Sequence, residues 1–585
     1  MNDKDISQLL DRAEFLANTN SLWGAAFVLR LQRLGVTRFV VSPGSRNTPL
    51  VFALAELPGH AVQVVVDERS AGFVALGWSK ASGKAPVALV CTSGSALGHY
   101  LPALIEARYS HTPLVVISAD RPPELQECHA GQTVDQAEIF GHYVGGFYAA
   151  PLPDFSNWDA MQTLLDSAAQ FWSGDRALAS VHINQPFRDP LTPGVPDGSD
   201  TFLLKDLLDL RSFLCEVPTV ASEVQVSELS DSHHASLLII IGPQELSWTH
   251  FSRAQSALKR LAKMDGVVIA SDGVSSVRFS GIPSVAAYDL VLRQKDMLDA
   301  LRPERIWLIG DLPTSKPLRA AVAHWNAPIV SFQADDDQRH AGIDLPWTVA
   351  PIKSLEHAIE GIDVSDTEFK SRWMEAEQFQ QGAIQNAVAE CVNLDCLREW
   401  QLPRLLVPRA PEGTRFLIAS SMPVRDWEAF APSGEFSIDV FSNRGANGID
   451  GLISTAAGMA LEDPERPVWL IIGDVATQHD LGGLATLAAL PGTVTIWLIN
   501  NGGGRIFDFL PISGVSFDFE RFYHTPPQLN FAGLAEGVGL GYKQVKNVSD
   551  IKRIAESSEQ KCLVEILVDS ESDQAARRAL TEPGN

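Results

Sequence analysis

Two short polar clusters could do chemistry in this chain. Gly473-Asp474 ends an apolar run over 467–472, and Asn500-Asn501-Gly502-Gly503 ends a second over 493–499. Both runs read as buried strands, with a helix over 481–490 between them. The Asp474 carboxylate, the Asn501 amide oxygen and the Gly503 carbonyl would then share the carboxyl edge of neighbouring parallel strands, where α/β sheets bind ligands. Hard oxygen donors of this kind suit Mg²⁺ or Mn²⁺ held against a diphosphate. A lone Asn-Gly marks only a turn. Two strand-end clusters separated by one crossover favour the ligand reading. Glu68 ends another apolar run, 62–66, just before the small residues Ser70-Ala-Gly72. Alone, it reads as a surface acid paired with Arg69; beside a cofactor site it becomes a candidate for proton transfer.

The elements that must position these groups alternate along the chain. Strands are expected over 38–41, 62–66, 87–91 and 114–118, with helices over 70–82 and 97–109. The polar loops Ser42-Pro-Gly-Ser-Arg-Asn47, Asp67-Glu68, Thr92-Ser-Gly-Ser95 and Ala119-Asp-Arg121 all follow strand carboxyl ends, so they should share one rim. The strand over 181–184 should close this domain, and the Pro- and Gly-rich stretch 190–199 reads as a linker. Strands over 237–241, 266–270, 306–309 and 329–332 form a middle segment. A long charged helix over 366–391 leads to strands over 416–419, 437–441, 468–472, 494–499 and 563–568. The fold class is α/β, with three doubly wound parallel-sheet domains at 1–190, 200–365 and 385–585. Their shared alternation suggests an ancient duplication.

Bulk properties narrow the function. A chain of 585 residues is too long for one core. Its net charge of −25 argues against nucleic acid as a partner, so an anionic substrate must find local positive charge. Six scattered cysteines fit a reducing cytoplasm and free thiols, and the polar start at 1–7 lacks a signal peptide's apolar core. No apolar run is long enough for a membrane span.

The chain resembles the thiamine-diphosphate-dependent enzymes built from pyrimidine-binding, middle and diphosphate-binding domains. The resemblance rests on Ser42-Pro-Gly-Ser-Arg46, Asp67-Glu-Arg69, Thr92-Ser-Gly94, Ala119-Asp-Arg-Pro-Pro-Glu-Leu125, Ser442-Asn-Arg-Gly-Ala446, Gly448-Ile-Asp-Gly451, Gly473-Asp474 and 500–507. Within the family it resembles carboligases that decarboxylate 2-oxoglutarate and add the product to isochorismate in menaquinone and phylloquinone synthesis. The resemblance implies thiamine diphosphate with Mg²⁺ or Mn²⁺ and makes Glu68 the catalytic partner of the pyrimidine ring. It assigns cofactor contacts to Glu68, Ser421, Ile449, Gly473, Asp474, Asn501 and Ile506, and the metal to Asp474, Asn501 and Gly503. Substrate contacts fall to Ser45, Arg46, Arg121, Gln132, Lys316, Arg425, Arg444 and Phe507. Both substrates are dianions, and arginine can grip a carboxylate with two hydrogen bonds. A homodimer or homotetramer is implied, with each site shared by two subunits.

Three positions depart from the family pattern. Val475 replaces the glycine of the general cofactor motif, Pro317 stands where some members carry arginine, and Gly131 replaces an asparagine. Of His99, His111, His129, His142, His182 and His479, only His129, near Gln132, is singled out for testing; structural or surface roles are expected for the rest. Ile449 has an ordinary-core alternative. Two other functions stay open: a different 2-oxoacid decarboxylase or acetohydroxyacid-type synthase, and a non-catalytic binding module on a retained fold.

Overall fold

The computed structural model describes residues 12–173, 179–198, 233–243, 248–333, 347–351, 354–360, 362–556 and 560–582. The expected signal-free start at 1–7, Cys215 and the last residue of the 190–199 linker lie outside them. The chain divides into two compact units, Met1–Ser222 with Ala457–Glu462, and Glu223–Ala456 with Asp463–Asn585. Among the described residues no helix is long and apolar enough to cross a membrane.

The first unit is built on strands β1 (Arg38–Val41), β2 (Ala61–Val64), β3 (Val87–Cys91), β4 (Leu114–Asp120), β5 (Gly146–Ala149) and β6 (Val181–Pro186). They pair in parallel in the order β2-β1-β3-β4-β6-β5. Strands β3 and β4 are buried from end to end, as expected for a sheet covered on both faces. The expected strand over 62–66 ends earlier, at Val64. The strand at 181 is last in sequence but not at the edge, because β5 pairs outside it. Strand β5 escaped sequence reading: its four residues, Gly-Phe-Tyr-Ala, are too short and too little buried at the sheet edge to stand out. Helix Glu68–Ala81 starts at Asp67, whose side chain accepts the Arg69 N–H. It packs closely where Gly72 meets Ala103; a Cβ at Gly72 would stand 2.9 Å from that side chain.

The second unit holds two large sheets. The first has β8 (Leu237–Ile241), β9 (Val267–Ser271), β10 (Arg305–Ile309), β11 (Ile329–Gln333) and β12 (Trp347–Pro351), in the order β12-β11-β10-β8-β9. Two short strands, β7 (His233–His234) and β13 (Asp363–Val364), pair separately. The second large sheet has β14 (Thr414–Ile418), β15 (Ile438–Phe441), β16 (Val468–Gly473), β17 (Val494–Asn500), β18 (Gly541–Val545) and β19 (Lys561–Leu567). Its order, β15-β14-β16-β17-β19-β18, repeats that of the first unit strand for strand. That match gives the suspected duplication a structural footing. Strands β12 and β18 were also missed; β18 alternates Tyr, Lys and Gln with little buried surface. The long helix spans Phe369–Asn393. A cluster of Phe416, Trp427, Trp469 and Trp497 fills the space beneath the last sheet.

Candidate active site

In both six-stranded sheets the chain reverses direction between the first and third strands, and ligands bind at such switch points. In the last sheet this is where β14 and β16 end. Asp474 follows β16 directly, is 1% exposed, and opens helix Asp474–His479. The Gly503 N–H donates to its Oδ2 at 2.8 Å and the Val475 N–H to its Oδ1 at 2.8 Å. Burial raises its carboxyl above the ordinary range, while the amides of Gly503, Val475 and Gly502 act the other way. Gly503 has φ +114°, and a Cβ there would stand 2.1 Å from the His524 carbonyl oxygen. Only glycine fits such a position.

Asn501 donates from Nδ2 to Glu399 Oε2 at 3.0 Å. Its Oδ1 is buried with no hydrogen-bond partner among the described residues. A buried acceptor without a donor is costly, and a cation relieves it. Apart from its chain neighbours, no atom of the described residues lies within 4 Å of where a Cβ at Gly473 would stand, leaving open space at the strand end. Among the described residues no three His, Cys, Asp or Glu side chains converge as a metal cluster. One carboxylate, one amide oxygen and one peptide carbonyl instead make a hard set that can hold a divalent cation on a diphosphate.

Beside this edge, Ser421 sits between β14 and helix Met422–Phe430 with φ +74° and ψ −130°. A serine in that region is strained, a condition that gathers at functional sites. Its carbonyl accepts from the Arg425 guanidinium. Burial lowers the Arg425 pKa, and repulsion from Arg444 and Arg319 lowers it further. Three guanidinium groups from three elements therefore share one neighbourhood. Lys316 is the exposed first residue of helix Lys316–Trp325, which also carries Arg319. Arg319 was missed by sequence reading; its spacing three residues from Lys316 on one helix was the available signal. Ile449 is half-buried in the loop before helix Leu452–Glu462. Ile506 and Phe507 lie half-buried on the 3₁₀ turn Arg505–Phe509, and Phe507 packs edge-on against Tyr523 at 4.8 Å.

The first unit holds the remaining candidates. Glu68 is half-buried at the start of its helix, and its charge is felt by the buried Cys91 thiol and Tyr100 hydroxyl. Arg69 closes its guanidinium on Asp67, at 3.0 and 2.7 Å, which weakens the reading of Glu68 as its surface partner. Gln132, at φ +58°, donates to the Ser93 carbonyl at 3.0 Å and accepts from the Ser93 hydroxyl, so it is fixed on the 92–95 loop. Ser45 is exposed after β1. Arg46 is buried and donates to the Phe187 carbonyl at 2.8 Å, so part of its guanidinium is engaged locally. Arg121 and His129 line a cavity of about 660 Å³ with Gln136 and Asn184. His182 is buried against Ser118 at 2.7 Å, and burial holds its imidazole down at about 4. It is a neutral packing histidine at ordinary pH.

Residues 23–139 match the thiamine pyrophosphate enzyme N-terminal TPP binding domain, and residues 440–566 match the C-terminal TPP binding domain. Fold, site and both matches define the chain as a thiamine pyrophosphate enzyme. A 2-succinyl-5-enolpyruvyl-6-hydroxy-3-cyclohexene-1-carboxylate synthase from Synechococcus elongatus is 35% identical over 574 residues, covering 96% of each chain. Enzymes of the same name from Microcystis aeruginosa and Trichormus variabilis are each 36% identical, the first covering 92% of this chain and 94% of its own, the second 88% and 89%. The chain belongs to the 2-succinyl-5-enolpyruvyl-6-hydroxy-3-cyclohexene-1-carboxylate synthase family.

Proposed function

We propose that this enzyme decarboxylates 2-oxoglutarate and adds the resulting succinyl-semialdehyde unit to isochorismate in a 1,4 sense. The products are CO₂ and 2-succinyl-5-enolpyruvyl-6-hydroxy-3-cyclohexene-1-carboxylate, a step toward menaquinone or phylloquinone. The observation that carries the substrate assignment is the half-buried Arg425 guanidinium on helix Met422–Phe430, with the charges of Arg444 and Arg319 in electrostatic reach. Cations held together in a chain of net charge −25 require anions to neutralise them, and both substrates bring two carboxylates.

When bound, thiamine diphosphate supplies a nucleophilic ring carbon and an electron sink for the departing carboxylate. Asp474, Asn501 and the Gly503 carbonyl would hold Mg²⁺ or Mn²⁺ for its diphosphate, with open space at Gly473 beside them. Glu68 would meet the pyrimidine ring of the bound cofactor and could exchange a proton with it. Ser421, Ile449 and Ile506 bound the cofactor. Arg425, Arg444, Lys316 and Arg319 bind substrate carboxylates, joined by Ser45, Arg46, Arg121 and Gln132, and Phe507 walls the pocket. Residues 1–190 carry the pyrimidine half, 200–365 the middle domain and 385–585 the diphosphate half. The active form is a cytoplasmic homodimer or homotetramer in which two subunits complete each site.

Incubation with thiamine diphosphate, Mg²⁺, 2-oxoglutarate and isochorismate should consume both substrates and release CO₂. Consumption of pyruvate with 2-oxoglutarate untouched would overturn the assignment in favour of an acetohydroxyacid-type synthase. Sedimentation of an active monomer would refute the shared site.

A further inference from the structure

Asn501 can present either end of its amide to a ligand, because the oxygen and nitrogen ends have the same shape. Its surroundings decide which. The Glu399 carboxyl stands 3.0 Å from Nδ2, and in its ionised form it can only accept. Turning the amide over would set Oδ1 against a carboxylate oxygen and aim two N–H donors where a cation must sit. With Nδ2 committed to Glu399, Oδ1 is left buried and without a partner among the described residues.

Glu399 is itself held. It opens the 3₁₀ turn Glu399–Gln401 and is 4% exposed. Its backbone N–H donates to Asp573 Oδ1 at 2.7 Å. Asp573 belongs to helix Ser570–Thr581, and Arg577, one turn on, bonds Asp573 Oδ2 at 3.2 Å. The same Arg577 Nη2 also donates to Asp426 Oδ2 at 3.0 Å, Asp426 being the residue after Arg425 on the substrate-binding helix. The carboxyl-terminal helix thus braces the turn that orients Asn501. Nothing in the local sequence around Glu399 signals this, since its partners lie more than a hundred residues away.

We infer that Glu399 is a positioning residue for the divalent cation, fixing the Asn501 amide so that its oxygen faces the metal, with Asp573 and Arg577 as the brace. The inference rests on the cation site proposed above. Outer partners that orient metal ligands typically change affinity by about tenfold to a hundredfold when removed.

The test is Mn²⁺ binding to the full-length protein with saturating thiamine diphosphate, followed by electron paramagnetic resonance and checked for folding by circular dichroism. Glu399→Ala should weaken Mn²⁺ binding by about tenfold or more. Glu399→Gln keeps an acceptor oxygen and should recover most of that loss, which a merely structural role would not predict. Should Glu399→Ala fail to fold, Asp573→Ala should weaken Mn²⁺ binding in the same direction by a smaller factor. Wild-type affinity in the alanine variant that folds, or equal losses in Glu399→Ala and Glu399→Gln, would overturn the role of Glu399. A wild-type protein that takes up no Mn²⁺ under these conditions would sink the cation site itself, and the role of Glu399 with it.

Discussion

Glu68 stands half-buried at the amino end of its helix, within electrostatic reach of Cys91 and Tyr100. A carboxyl so placed can exchange a proton with a bound heterocycle. Glu68→Gln keeps the shape and a hydrogen bond but removes the exchangeable acid. It should leave cofactor binding nearly intact and cut turnover by about a hundredfold or more. Steady-state assays beside a cofactor titration measure the two separately; near-normal turnover would remove Glu68 from the mechanism.

At the scale of elements, the 500–504 loop is the most constrained part of the site. It must leave β17, pass Asn501 to Glu399 and bring the Gly503 N–H to Asp474. Gly503→Ala combines a φ of +114° with a Cβ 2.1 Å from the His524 carbonyl. Backbone must move, at a cost of roughly 1–3 kcal/mol for the strained conformation alone. We expect weaker Mg²⁺-dependent cofactor binding together with a lowered Tm. Calorimetry with and without thiamine diphosphate and Mg²⁺ reads both, and an unchanged cofactor-induced rise in Tm would contradict the loop's role.

At the scale of the whole molecule, burial pushes several carboxyls of the second unit upward: Glu428 to about 8, Asp573 to about 7 and Asp480 to about 6. Glu428 accepts the Gly273 N–H and bonds the Tyr288 hydroxyl, at the seam between the middle sheet and helix Met422–Phe430. Its folded pKa lies above its usual 4.5, so between those values the folded state holds the extra proton. Stability is therefore greatest below about pH 4.5 as far as this group is concerned, and is lost as pH rises through about 8. Growing repulsion in a chain of net charge −25 acts in the same direction. Glu428→Gln should flatten the fall in Tm over that window. An identical slope in the variant would show that Glu428 titrates near its usual value.

Sequence alone pointed to the cofactor family, because its motifs are local: a strand followed by Gly473-Asp474, a strand followed by Asn500 to Gly503, and Glu68 opening a small-residue helix. Apolar runs also located every strand buried on both faces. Strands β5 and β18 stayed hidden because edge strands bury too little surface to leave a periodic trace. Burial at Ile449, the grip of Arg69 on Asp67, the neighbourhood of Arg319 with Arg425 and Arg444, and the hold of Glu399 on Asn501 were decided by tertiary structure. Each depends on which groups are brought together across long stretches of chain, and no local spacing encodes that.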